Sequence, residues 1–140
     1  MANLPIRICS PLKTDVKRGY LHQLYSNHML QAFFKAFKEQ GYAVLSRKHG
    51  VCFSSRQYDN YGDNEELPDH MLIELLRSQA KQAEYDQHVY YYWNHRPLTH
   101  GKWIKMLLEA GFNVIEFRTL DEIKNALKRE AGTSDDSKLF

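Results

Sequence analysis

At 140 residues the chain fits one ordinary domain and leaves little room for a second core. Apolar residues make up 43% and charged residues 26%, close to globular averages, so a disordered polymer is excluded as the starting expectation. The formal charge is only +2, and any recognition of nucleic acid must therefore rest on where charge sits, not on its total.

Four short apolar or β-branched runs alternate with four helical patterns. The first run is Ile6–Cys9. Ser26 or Asn27 then caps a helix that carries Leu30, Phe33, Phe34 and Phe37 on one face and stops at Gly41. The second run, Tyr42–Leu45, has a possible continuation through Val51–Phe53. Ser54–Leu67 shows no periodicity, and unstructured loops of such length are commonly functional. A helix starting near Pro68 and Asp69 presents Leu72, Ile73, Leu76, Ala80 and Ala83. The third run is His88–Trp93, followed by a helix from Thr99 with Trp103, Ile104, Leu107 and Leu108 that ends at Gly111. The fourth is Asn113–Phe117. After it, Thr119 and Glu122 form a capping box ahead of Ile123, Ala126 and Leu127.

Strands alternating with helices imply right-handed crossovers and a mainly parallel sheet. The expected fold class is α/β: a three-layer, Rossmann-like or flavodoxin-like sandwich of about four strands, without the glycine fingerprint of a dinucleotide binder. Residues 1–132 are read as a single domain and 133–140 as a flexible polar tail. There is no run of about 18 apolar residues and no apolar segment of secretory type near Met1, so a soluble, cytoplasmic protein without membrane contact is expected. Cys9 and Cys52 are too few for a disulfide framework and read as inert buried thiols.

In open parallel sheets, ligands bind outside the carboxyl ends of the strands. Every strand is followed by cations: Ser10 to Lys13 with Lys17 and Arg18, then Ser46 to Gly50, then Asn94 to Arg96 with Lys102, then Arg118. Acids are absent from these junctions until Asp15, Asp59 and Asp121. Four junctions of one sign suggest an anion-binding face.

The strongest local signal is Ser46-Arg47-Lys48-His49-Gly50. It joins a hydroxyl, a guanidinium, an ammonium and an imidazole to a glycine that lets backbone amides approach a ligand; the plain alternative is a turn between strand segments. In Tyr90–Trp93 the tyrosines read as core, while Asn94, His95 and Arg96 read as site. His49, His95 and His100 can meet at the sheet edge. No HxH, HExxH or Cys/His spacing is present, so neither metal nor cofactor is expected. No GxSxG elbow is present either.

Cys9-Ser10 with Lys13, Leu24-Tyr25-Ser26 ahead of Phe33, Leu45 to Gly50, and Tyr58-Asp59 together resemble a small domain family of unknown function related to the YaaA peroxide-stress proteins. The likeness spans residues 6 to 61, with Arg47 where those proteins carry a small residue and Val51 where they carry leucine. It implies an α/β domain with a pocket built from the first two junctions, and a loose link to DNA damage or nucleobase metabolism.

The functional expectation is a nucleotide- or nucleic-acid-directed protein. Lys13, Arg47, Lys48 and Arg96 would hold phosphate, and Ser10, Ser46, Asn94 and Tyr58 would orient a base or sugar. If it is an enzyme, His49 or Asp59 would act as acid or base at a nucleobase or glycosidic bond. Two rivals stand beside it: a non-catalytic binder of a small phosphorylated ligand, and a protein-interaction module with a basic face. The oligomeric state is not legible.

Overall fold

The computed structural model describes residues 3–8, 13–82, 89–93 and 97–139. In chain order these form β1 (Leu4–Ile8), β2 (Arg18–Tyr20), α1 (Leu21–Leu24), α2 (His28–Ala36), β3 (Ala43–Ser46), β4 (Gly50–Phe53) and β5 (Gln57–Asp59). A 3-10 turn (Asp63–Glu65) leads to α3 (Asp69–Gln82), β6 (Val89–Tyr92), α4 (Pro97–Ala110), β7 (Val114–Phe117) and α5 (Leu120–Leu139). The last helix spans both the expected fourth helix and the stretch beyond residue 132.

Five strands make one sheet in the order β4-β3-β1-β6-β7. The four apolar runs form its parallel part, with Ile6 beside Ala43 on one flank and Tyr91 on the other. Val89 lies beside Val114 at the far edge. The mixed α/β class with a mostly parallel sheet is therefore present, but the clean alternation of strands and helices is not.

The second run does not continue through Val51–Phe53. The chain reverses over Arg47–His49 and returns as β4, antiparallel to β3, with Ser46 opposite Gly50. Gly50 makes the reversal at φ +68°, a left-handed conformation that side chains with a Cβ resist. Ser54–Leu67 is not structureless either. It supplies β5, which pairs with β2 as a separate antiparallel ribbon (Gly19 beside Tyr58), and the 3-10 turn.

Alternate strand residues feed two apolar clusters. Val44, Cys52, Tyr90 and Tyr92 pack with Leu30, Phe33, Phe34 and Phe37 around α2 and with Ile123 and Ala126 of α5. Ile6, Ala43, Leu45, Val89 and Tyr91 pack instead with Leu72 and Leu76 of α3 and with Trp103, Met106 and Leu107 of α4. All five helix residues picked as the core of their elements, Phe33, Phe37, Leu76, Leu107 and Ile123, are buried. The face of α4 is rotated from the expected one: Leu108 is 54% exposed, and Met106 and Ala110 take its place inside.

Local chemistry marks the helix ends. Asn27 caps α2, its Oδ1 accepting from the amides of Met29 (2.9 Å) and Leu30 (3.1 Å). Thr119 caps α5, its Oγ1 accepting from the Glu122 amide at 3.1 Å. Among the described residues no helix is long and apolar enough to cross a membrane.

Candidate functional site

The turn after β3 is organised by one buried hydroxyl. Ser46 Oγ accepts from the amides of Lys48 and His49 (both 3.1 Å) and donates to the Tyr61 hydroxyl (2.8 Å). A serine hydroxyl has one proton and two lone pairs, so this oxygen is saturated. The two amides that the glycine seemed to free for a ligand are thus held by Ser46. Gly50 is buried as well, with the Gln79 side chain of α3 packed where a Cβ would stand. Both residues shape the turn.

Tyr61 gathers the site. Its hydroxyl meets Ser46, its ring centroid is 5.6 Å from that of His49, and Lys13 Nζ sits 3.2 Å over its ring while donating to its carbonyl oxygen at 2.6 Å. Lys13 comes from the segment after β1, Ser46 and His49 from the turn after β3, and Tyr61 from the segment after β5. Asn60 locks these segments together, its Nδ2 donating to the carbonyls of Thr14 (2.9 Å) and Val16 (3.0 Å). Lys13, Lys17, Asn60, Tyr61 and Glu65 line a cleft of about 550 Å³.

Among the described residues, Arg18, Arg47, Lys48 and Lys102 along this edge are paired with carboxylates, so the face is less basic than its composition suggests. Lys48 meets Glu65 at 3.0 Å, and Arg18 meets Asp59 at 2.9 Å. Arg47 turns toward α3, where it bonds Asp69 at 2.7 Å and the Leu67 carbonyl at 3.1 Å. Lys102 of α4 shares Asp69 at 3.0 Å. The acids come from residues 59–69, a stretch the sequence reading set apart from the junctions it folds onto.

Asp59 and Tyr58 face other partners than a ligand. The Asp59 carboxylate is exposed, and its hydrogen bond to Arg18 holds it below the usual carboxylate range, so it is an ionised group and not a proton donor near neutral pH. Only its backbone oxygen reaches His49. The Tyr58 hydroxyl accepts from the Phe53 amide at 2.9 Å, with its ring centroid 5.5 Å from that of His49.

His49 is half-buried, and Nε2 lies 3.0 Å from the Asp59 carbonyl oxygen. A carbonyl only accepts, so Nε2 carries the proton and neutral His49 presents Nδ1 as its lone pair. Burial pushes the imidazole below its ordinary 6.5; Lys48 and Lys13 add to this, while the Asp59 carbonyl opposes it. An unfolded histidine takes up a proton near that value and the folded one does not. The stability contributed by neutral His49 is therefore complete above pH 6.5 and declines as pH falls below it, until the lowered folded value is reached. Urea melts between about pH 7 and about pH 5 should show this decline, reduced in His49→Gln. Proton NMR showing the His49 ring titrating at or above 6.5 would contradict it.

Tyr90, Tyr91 and Tyr92 are buried, as their strand alternation implies. His100 is buried too, with Nδ1 2.9 Å from the Tyr91 hydroxyl and its ring against Trp93, so it does not join His49. Among the described residues no group of three His, Cys, Asp or Glu side chains is arranged to hold a metal ion. Ser10, Asn94, His95 and Arg96 lie outside the described residues.

No family model, curated protein or solved structure matches the chain. The site must be argued from its own atoms.

Two residues escaped the sequence reading. Tyr61 sat in a stretch without periodicity and gave no signal of its role. Arg7 did leave one: a guanidinium placed between Ile6 and Ile8 in an apolar strand is costly unless something answers it.

Proposed function

We propose that this protein binds a small phosphorylated ligand of nucleotide class in the cleft lined by Lys13, Lys17, Asn60, Tyr61 and Glu65. The observation that carries this reading is the convergence on Tyr61 of Lys13, Ser46 and His49, three side chains from two different strand ends, beside a cleft of about 550 Å³. Lys13 and Lys17 would take the phosphate, and Asp15 and Glu65, also in the lining, would accept hydrogen bonds from sugar hydroxyls. If the protein is an enzyme, His49 is the residue for proton transfer, because it is neutral at pH 7 with Nδ1 as base. A small ligand is favoured over a nucleic-acid strand because Arg18, Arg47 and Lys48 are already paired with carboxylates and do not form an open basic track.

The three-layer, Rossmann-like arrangement belongs to the same proposal. It is supported by two apolar clusters that take alternate strand residues and different helices. Kinship with the YaaA-related domains is also proposed, supported by the closeness of Lys13, Ser46, His49 and Tyr58 around one turn.

The test is a fluorescence-anisotropy titration with a labelled adenine nucleotide and with a labelled single-stranded oligonucleotide, each at two salt concentrations. Lys13→Gln should weaken nucleotide binding about tenfold, the loss of one charge-assisted contact. Circular dichroism would confirm that the variant is folded. Steeply salt-dependent binding of the oligonucleotide alone would favour a polyanion surface, and no binding of either probe by the wild type would end the proposal.

A further inference from the structure

Arg7 lies in the central strand, one residue from its carboxyl end, and is only 9% exposed. Its guanidinium is always charged. Burying such a charge is unfavourable unless a carboxylate or other anion meets it. Among the described residues Arg7 makes no ion pair, and its Nε is buried without a hydrogen-bond partner. Its near neighbours are the Met29 Sδ, 3.9 Å from Nη2, and the Tyr92 ring, whose centroid is 5.5 Å from Cζ. The aromatic face compensates the charge in part. A thioether does little.

The surroundings make the missing charge more conspicuous. Met29 belongs to the first turn of α2, the positive end of that helix's dipole, and the first turn contains no acid. Asn27 already occupies the amides of Met29 and Leu30, so the helix cannot be the group that needs a partner. A buried cation thus lies beside the first turn of α2, and among the described residues no carboxylate pairs with it. An anion would answer the Arg7 charge, and the helix end would not oppose it.

The position is also where the topology opens. From β1 the chain crosses to β3 and then β4 on one flank; from β4 it crosses back past β3 and β1 to β6 on the other. Ligands of open α/β sheets bind at such a switch, outside the carboxyl ends of the two diverging strands. Arg7 and Tyr92 stand at those ends, one residue beyond the pairing of Ile6 with Tyr91.

We infer that Arg7 is an oxyanion-binding residue, and that the site it forms with Tyr92 and the first turn of α2 receives the phosphate or carboxylate group of a small ligand. A planar guanidinium with an unused Nε–H suits the two-oxygen edge of either group. This inference goes beyond the cleft reading and does not need it. Lys13 meets the Tyr61 ring and carbonyl, whereas among the described residues Arg7 meets no anion.

The experiment compares thermal unfolding of the wild type, Arg7→Met, Arg7→Lys and Lys13→Gln in chloride, phosphate and acetate at equal ionic strength. Phosphate or acetate should raise the wild-type Tm by about 3 °C or more when it is well above its dissociation constant. Which of the two does so tells the phosphate source from the carboxylate. Arg7→Met should lose most of this gain and Arg7→Lys part of it, while Lys13→Gln, which removes only the phosphate contact of the cleft, should keep the Arg7-dependent part. In chloride, Arg7→Met should melt no lower than the wild type, because an unanswered buried charge has been removed. Should Arg7→Met fail to fold, the wild-type Arg7 Nε–H resonance, followed by ¹⁵N NMR during a phosphate or acetate titration, gives the same answer through a shift that saturates. Equal anion gains in wild type and Arg7→Met would overturn the inference and leave the Lys13 cleft standing. An Nε–H resonance unmoved by both anions would overturn it regardless of what the cleft binds.

Discussion

Replacing Phe33 with alanine should destabilise the protein by about 3–5 kcal/mol, the usual range for emptying a core phenylalanine site. Phe33 has no exposed surface, and its ring lies within 5.2 Å of Phe37 and 5.8 Å of Tyr42 (centroid distances), edge-on to both. It also stacks on Tyr92 at 6.0 Å. Tyr92 closes the carboxyl end of β6, so Phe33 couples α2 directly to the strand edge where a ligand is expected. Aromatic pairs of this geometry each add about 0.5–1.5 kcal/mol beyond area burial, which places the expected loss toward the upper half of the range. A urea melt measures it. The midpoint should fall with little change in slope, and a loss below about 1 kcal/mol would mean that the α2 side collapses around the gap. Because Tyr92 also lies under the Arg7 guanidinium, the same substitution should loosen the aromatic support of Arg7.

The parts of this fold that were legible in the sequence are those governed by short-range patterns. The four apolar runs became parallel strands; β3 and β6 are buried along their whole length, while β7 at the edge leaves Ile115 and Glu116 exposed. Asn27 and Thr119 capped the helices they precede. What escaped was set by contacts between distant segments. Residues 47–49 read equally as a ligand loop or as a turn between strand segments, and only the pairing of Ser46 with Gly50 reveals a hairpin. Glu65 and Asp69 neutralise Lys48 and Arg47 from 17 and 22 residues away, a relation no local window contains. The basic character read from the junctions was therefore real in composition and, at Arg47 and Lys48, cancelled in space.

The candidate site divides along the same line. Lys13, Ser46 and His49 come together because they lie at the carboxyl ends of neighbouring parallel strands, which share an edge. Tyr61, which joins them, could not be chosen from a stretch holding Tyr58 and Tyr61 without periodicity to separate them. The Ser46 hydroxyl is occupied by the amides of Lys48 and His49 and by Tyr61, contacts that a single-residue reading of the turn does not contain.

Gly50→Ala should cost about 2–4 kcal/mol, and the reason lies in two separable effects. At φ +68° any side chain with a Cβ is strained by about 1–2 kcal/mol. The added methyl also meets the Gln79 amide, which is pinned: its Oε1 accepts from the Val51 amide at 2.9 Å, and its Nε2 donates to the carbonyls of His49 (3.0 Å) and Val51 (3.2 Å). Displacing that amide breaks hydrogen bonds worth about 0.5–1.5 kcal/mol each. Gly111 provides the comparison. It holds φ +106°, but nothing lies within 4 Å of where its Cβ would be, so Gly111→Ala should show backbone strain alone, about 1–2 kcal/mol. Chemical melts of the two variants would give the difference, and equal losses would mean that Gln79 moves aside freely. The consequence for the site follows from the His49 carbonyl. Once Gln79 releases it, the turn that holds His49 half-buried loosens and the imidazole regains water. Its titration in Gly50→Ala should then move back toward 6.5, while in Gly111→Ala it should stay where it is in the wild type. A His49 titration unchanged by Gly50→Ala would show that Ser46 and Tyr61 hold the ring without help from α3.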